Sequence, residues 1–130
     1  MKSIENVKLA IYGAISNDFV VLAKLKKQLQ KIKNREINQH RVDCYKMDDE
    51  SILIQKFTDL KIAFPKNIEI FWPIGKYPPH FDKGGISYFI PLESGNFYIG
   101  GINYPVLPFV LHAFDDSQLH NSDFASIMLK

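Results

Sequence analysis

Apolar residues change their spacing about midway along the chain. Val7 to Ile11 reads as an opening strand, ended by Gly13. Ser16, Asn17 and Asp18 then offer N-cap side chains. Leu22, Leu25, Leu29 and Ile32 follow at spacings of three and four, which predicts an amphipathic helix from Phe19 to about Lys33. Lys24, Lys27 and Lys31 fall mostly off that stripe and read as its solvated face. Arg41 to Met47 alternates like a short strand. Asp48, Asp49 and Glu50 suit the positive end of a second helix, about Ser51 to Ile62, burying Ile52, Leu53, Phe57 and Leu60. Pro65 closes that segment.

Beyond Pro65 the period shortens to that of strands. Ile68 to Trp72, Ile86 to Pro91, Asn96 to Ile99, Val106 to Phe114 and Ala125 to Leu129 are strand-like, separated by Pro- and Gly-rich turns. No helical pattern lies between them, so antiparallel pairing is expected and a jelly roll or small barrel is the natural closure. The expected fold is α+β: N-terminal helices on an antiparallel barrel, in one domain spanning residues 1–130, with a helical support region (1–66) and a β-rich region (67–130).

Composition sharpens the division. Residues 1–66 hold 13 of the 16 Lys and Arg and 8 of the 14 acids, whereas residues 67–130 hold 12 of the 17 aromatics, 6 of the 7 glycines and 6 of the 7 prolines. A net charge of +2 is too small to make nucleic acid the expected partner. The apolar runs fall far short of the roughly 20 residues that span a bilayer, and no signal peptide is read at the start. A single cysteine, Cys44, rules out an internal disulfide and fits a reducing, cytoplasmic compartment. The aromatic load leaves a homodimer open, since an apolar edge would be hidden by a second copy.

The candidate chemistry centres on histidines. His80 and Asp82 form an HxD triplet; on extended backbone, residues two apart project to the same side. Such a pair supplies two-thirds of a 2-His-1-carboxylate triad, which leaves positions open on a non-haem iron. His120, forty residues on, is the favoured third ligand. His112, inside the apolar run Phe109 to Phe114, is the alternative and reads better as a packed residue. His40 lies in a polar stretch and reads as surface. Lys130, ten residues after His120, would share its face if the intervening segment alternated regularly, and could pair with a carboxylate. Tyr77 and Tyr88 carry phenols able to bond a carboxylate inside a pocket. Trp72 and Lys76 are candidates for a pocket mouth, and Asp115 and Asp116 read as turn markers.

The stretch from Tyr77 to Leu92, with Gly75 before it and Ile90-Pro91-Leu92 at its end, resembles the metal-binding segment of the Fe(II)/2-oxoglutarate-dependent dioxygenases. Phe114 to Lys130 resembles their distal segment. The likeness covers about residues 68–130 and is closest to the prolyl- and aspartyl/asparaginyl-hydroxylase-like branches. It implies a cupin-like double-stranded β-helix, with Fe(II) held by His80, Asp82 and His120. It also implies 2-oxoglutarate as cosubstrate, with Lys130, Tyr77 and Tyr88 as its candidate partners, and a small-molecule or peptidyl substrate. Arginine is the commoner anchor in that family, and none occurs after Arg41. A cupin-like metal- or small-ligand-binding module without catalysis is the alternative.

Overall fold

The computed structural model describes residues 9–16, 18–33, 42–45, 50–73, 79, 81 and 85–130. Its elements run β1 (Leu9–Ala14), α1 (Phe19–Lys33), β2 (Val42–Tyr45), α2 (Ser51–Asp59), β3 (Ile68–Pro73), β4 (Ile86–Pro91), β5 (Gly95–Ile99), β6 (Ile102–Val106), β7 (Val110–Asp115), β8 (His120–Ser122) and β9 (Ser126–Leu129). Six strands form one sheet in the order β1-β7-β4-β9-β3-β2, and three form another in the order β6-β5-β8. Every pairing is antiparallel. Among the described residues, no helix is long and apolar enough to cross a membrane.

Helix α1 starts at Asp18, whose Oδ1 accepts the Val20 N–H at 2.8 Å. That bond satisfies one of the first-turn donors a helix leaves open. Leu25 and Ile32 are buried, Leu22 and Leu29 half-buried, and Lys24, Lys27 and Lys31 exposed, as the spacing predicts. Helix α2 buries Leu53 and Phe57 and ends at Asp59, earlier than the expected Ile62. Lys61 takes a left-handed φ of 57° and the Ile62 N–H donates to the Phe57 carbonyl at 3.0 Å, so the chain reverses there.

The larger sheet is the middle layer. Side chains alternate across it, so Ile70, Ile90, Leu111, Ile127 and Leu129 face the helices, packed with Leu25, Ile32, Leu53 and Phe57. Its other face carries Leu9, Phe89 and Phe114 against Phe97, Ile99 and Val106 of the smaller sheet. Phe89 and Phe97 stack across the two sheets with centroids 4.6 Å apart. Each such buried side chain contributes roughly 1.5–3 kcal/mol.

The strand pattern needs correcting in three places. Val106 to Phe114 is not one strand: β6 and β7 are separated by a turn in which Phe109 has a φ of 66° and donates its N–H to the Pro91 carbonyl at 2.8 Å. Ile102 to Val106, unread in the sequence, is a strand although Pro105 interrupts its donors; it lies at the sheet edge, where proline is tolerated. The short strand β8 stands where only a turn was expected. Meanwhile β1 and β2, from the helical half, form the two outer strands of the larger sheet.

Candidate functional site

The site is built around β8 and the end of β9. The turn leading to β8 is shaped by Asp115, whose Oδ1 accepts the Ser117 N–H at 3.0 Å and the Ser117 hydroxyl at 2.7 Å. These two bonds hold the Asp115 carboxyl below its ordinary range. The Gln118 N–H returns to the Asp115 carbonyl, and the Leu119 carbonyl accepts from Gly100 at 3.0 Å. His120 follows, 3% exposed and paired with Ile99. Its ring lies edge-on to Phe114 at 4.7 Å, and its Nδ1 is 2.7 Å from the Gln118 carbonyl oxygen. A carbonyl can only accept, so Nδ1 carries the proton and, in the neutral ring, Nε2 carries the lone pair.

Lys130 is held from the other sheet. Its N–H donates to the Asn67 carbonyl at 2.9 Å and its carbonyl accepts from the Asn67 N–H at 3.1 Å, which extends the β3–β9 ladder past Leu129. Lys130 and His120 line one cleft of about 50 Å³, together with Glu69, Phe71, Ser122 and Ser126. The expected route to that meeting is corrected. The two residues do not share a face of one regular strand; they stand on different sheets, with a turn at 123–125 between them, and meet because the sheets face each other. Ser126 Oγ is buried at this cleft and has no hydrogen-bond partner among the described residues.

Tyr88 does not join them. It packs on the helix side, 5.2 Å from Phe57 and 6.3 Å from Tyr12 between ring centroids. Burial, and then the nearby Tyr12, push its phenol above the usual range. The register explains the separation: Tyr88 stands opposite Leu129, so the two share a face that Lys130 does not. Trp72 likewise packs on the helix side. His112 is buried in the sandwich with Nδ1 2.8 Å from the Val110 carbonyl, and it is not among the residues that line the cleft. Burial lowers its pKa, against smaller opposing contributions from the Val110 and Phe89 carbonyls.

His80, Asp82, Tyr77, Lys76 and His40 lie outside the described residues. Pro79 is described, and it lines a hollow of about 350 Å³ with Leu119 and Asn121, the two residues that flank His120. Among the described residues, no three His, Cys, Asp or Glu side chains gather to hold a metal ion.

Sequence reasoning missed Glu69, Ser126 and the buried pair Ser87–Asp116, joined by a 2.7 Å bond from the Ser87 hydroxyl to Asp116 Oδ2. The signal for Ser87 was its parity with Phe89 in β4; for Ser126, its parity with Met128 and Lys130. Comparison of the chain with protein-family models, with curated proteins and with solved structures returned no match.

Proposed function

We propose that the chain is an Fe(II)- and 2-oxoglutarate-dependent oxygenase of the hydroxylase type, acting on a small-molecule or peptidyl substrate. The observation that carries this reading is the meeting of His120 and Lys130 in one cleft from opposite sheets. The double-stranded β-helix it implies is supported by the path of the chain. From β4 onward the strands fall in the larger sheet (β4), the smaller (β5, β6), the larger (β7), the smaller (β8) and the larger again (β9). In this reading His80 and Asp82 complete the metal ligands. The position of Pro79 beside the neighbours of His120 supports that placement.

The described residues fit the group. His120 is buried and its Nδ1–H is committed to a carbonyl, so the lone pair that would ligate is the one on Nε2, which is the usual arrangement of a metal-bound imidazole. Bound Fe(II) with 2-oxoglutarate supplies the oxidising chemistry for inserting oxygen into a substrate C–H bond. The Lys130 ammonium holds the distal carboxylate of the cosubstrate, and Phe89, Phe97 and Phe124 line the cleft with apolar surface that excludes water.

The test is anaerobic titration of the protein with Fe(II) and then 2-oxoglutarate, followed by visible absorption. A metal-to-ligand charge-transfer band that is lost in His120→Ala supports the reading. Failure to bind Fe(II) overturns it. The small size of the cleft favours one alternative, a cupin-like module that binds a metal or small ligand without catalysis. Fe(II) binding with no response to 2-oxoglutarate would select that alternative.

A further inference from the structure

We propose that Asp116 is a positioning residue for His120, acting through a buried clamp that joins the turn before β8 to the start of β4; its role in metal binding rests on the function proposed above. The clamp has two bonds. The Asp116 N–H donates to the Gly85 carbonyl at 3.1 Å, and Asp116 Oδ2 accepts the Ser87 hydroxyl at 2.7 Å. Both side chains are interior: Ser87 is 0% exposed and Asp116 is 7% exposed.

A carboxylate in such a place calls for a reason, because burying it without full compensation is unfavourable. Turn formation does not supply one. Asp115, exposed to solvent around its carboxylate, already makes the bonds to Ser117 that shape the turn. Asp116 adds a tie to another strand. From Asp116 the chain runs three residues to His120, and within those three the Gln118 carbonyl holds the imidazole Nδ1 while the Leu119 carbonyl holds Gly100. Fixing Asp116 therefore fixes the carbonyl that orients the ring. The tie lands on Gly85, the first described residue after Asp82, and on Ser87 two positions further. It thus couples the chain just before one proposed ligand to the chain just after another.

The second carboxylate oxygen, Oδ1, has no hydrogen-bond partner among the described residues. Only one oxygen is needed for the clamp, so Asp116→Asn keeps it: the amide oxygen accepts from Ser87 and the N–H to Gly85 is unchanged. Asp116→Ala removes the side-chain bond, and Ser87→Ala removes the same bond from the other side. A double-mutant comparison of the two alanine variants then shows whether they act through one contact.

The experiment reads the histidine rings directly, by long-range ¹⁵N–¹H NMR on metal-free protein, alongside anaerobic Fe(II) titration. In the wild type, His120 should show one tautomer protonated at Nδ1. Asp116→Ala should lose that signature at His120 while His112 keeps its own, and Fe(II) affinity should fall about tenfold or more. Asp116→Asn should retain both within about twofold, and the two alanine changes should not add. If Asp116→Ala fails to fold, Ser87→Ala decides the matter by the same ring signature. An unchanged His120 signal in a variant lacking the bond overturns the proposal, as does a folded Asp116→Asn protein that behaves like Asp116→Ala. If wild-type protein binds no Fe(II), the oxygenase reading fails, and the ring signals still decide the role of Asp116.

Discussion

Phe89 and His112 lie ring on ring across β4 and β7, with centroids 4.6 Å apart and planes within 3°. The imidazole thus serves as a flat, buried packing surface whose Nδ1–H is satisfied by the Val110 carbonyl. Replacing it with alanine should cost about 2–4 kcal/mol in urea unfolding. Fe(II) affinity should stay at the wild-type level, which separates this histidine from His120. Loss of metal binding in folded His112→Ala would reverse the assignment.

The same burial carries a pH dependence. Burial lowers the pKa of His112 in the folded protein, so the unfolded chain takes up its proton first as pH falls through about 6.5. This histidine therefore adds no penalty above that pH. Stability should decline below it until the folded-state pKa is reached. His112→Phe keeps a ring on Phe89 and removes the titration. Its melting temperature should fall less between pH 7 and pH 5 than that of the wild type, and parallel profiles would count against the argument.

Glu93 answers two donors of different importance. One carboxylate oxygen pairs with Lys33 at 2.6 Å, where both side chains reach solvent, and the other accepts the Ala125 N–H at 2.8 Å. Exposed ion pairs contribute under about 1 kcal/mol, whereas an orphaned buried N–H costs about 1–3 kcal/mol. Glu93→Ala should therefore destabilise more than Lys33→Ala; high salt should remove most of the Lys33→Ala loss but only the small ion-pair share of the Glu93→Ala loss. Glu93→Gln, whose amide oxygen still accepts from Ala125, should fall between them. Equal losses in Lys33→Ala and Glu93→Ala would refute this ranking.

Much of the fold was legible because local signals agreed with one another. Helix α1 has the expected bounds, Phe19–Lys33, since a capping aspartate, an apolar stripe and a basic last turn all point to the same segment. Strand β4 has the expected bounds, Ile86–Pro91. The turn between β6 and β7 was hidden because Phe109, an aromatic in an apolar run, takes the left-handed conformation that glycine would have announced. Strand β8 is three residues long, too short to display a period. Tyr88 was misplaced relative to Lys130 because the facing of two strands depends on their register, and nothing in the chain announces that Tyr88 stands opposite Leu129. His120 and Lys130 meet through the facing of two sheets, which strand alternation alone does not specify.

Gly95 opens β5 where another part of the chain passes close. A Cβ there would sit 2.6 Å from Asp123 Oδ1 and 2.7 Å from Phe124 Cδ1. Neither neighbour can easily yield. Asp123 is held by the Asn96 N–H at 2.7 Å and the Asn96 side chain at 3.1 Å, and Phe124 is buried in the sandwich core. Gly95→Ala should cost about 1–3 kcal/mol through overpacking. The displaced segment joins β8 to β9, so the same variant should also weaken the proposed binding of 2-oxoglutarate by moving His120 and Lys130 apart. Wild-type stability in Gly95→Ala would mean that the segment at 123–124 shifts freely.

Lys130 offers the cleanest separation of the proposed cosubstrate from the proposed metal. Its backbone is fixed by two bonds to Asn67, and its parity with Ser126 and Met128 puts its side chain on the sandwich side of the sheet. A charge-assisted bond from an ammonium to a carboxylate contributes about 1.5–3 kcal/mol, equivalent to roughly 10–100-fold in affinity. Lys130→Met preserves the apolar stem and deletes the charge, so packing of the cleft should survive. Fe(II) affinity should be unchanged, because the metal is proposed to sit at His120. Half-saturation by 2-oxoglutarate, read from the charge-transfer band, should rise by that roughly 10–100-fold factor. Lys130→Arg, which keeps the charge in a different shape, should lie between the two. Unaltered 2-oxoglutarate binding in Lys130→Met would remove the lysine from the site and leave the cosubstrate carboxylate to some other group.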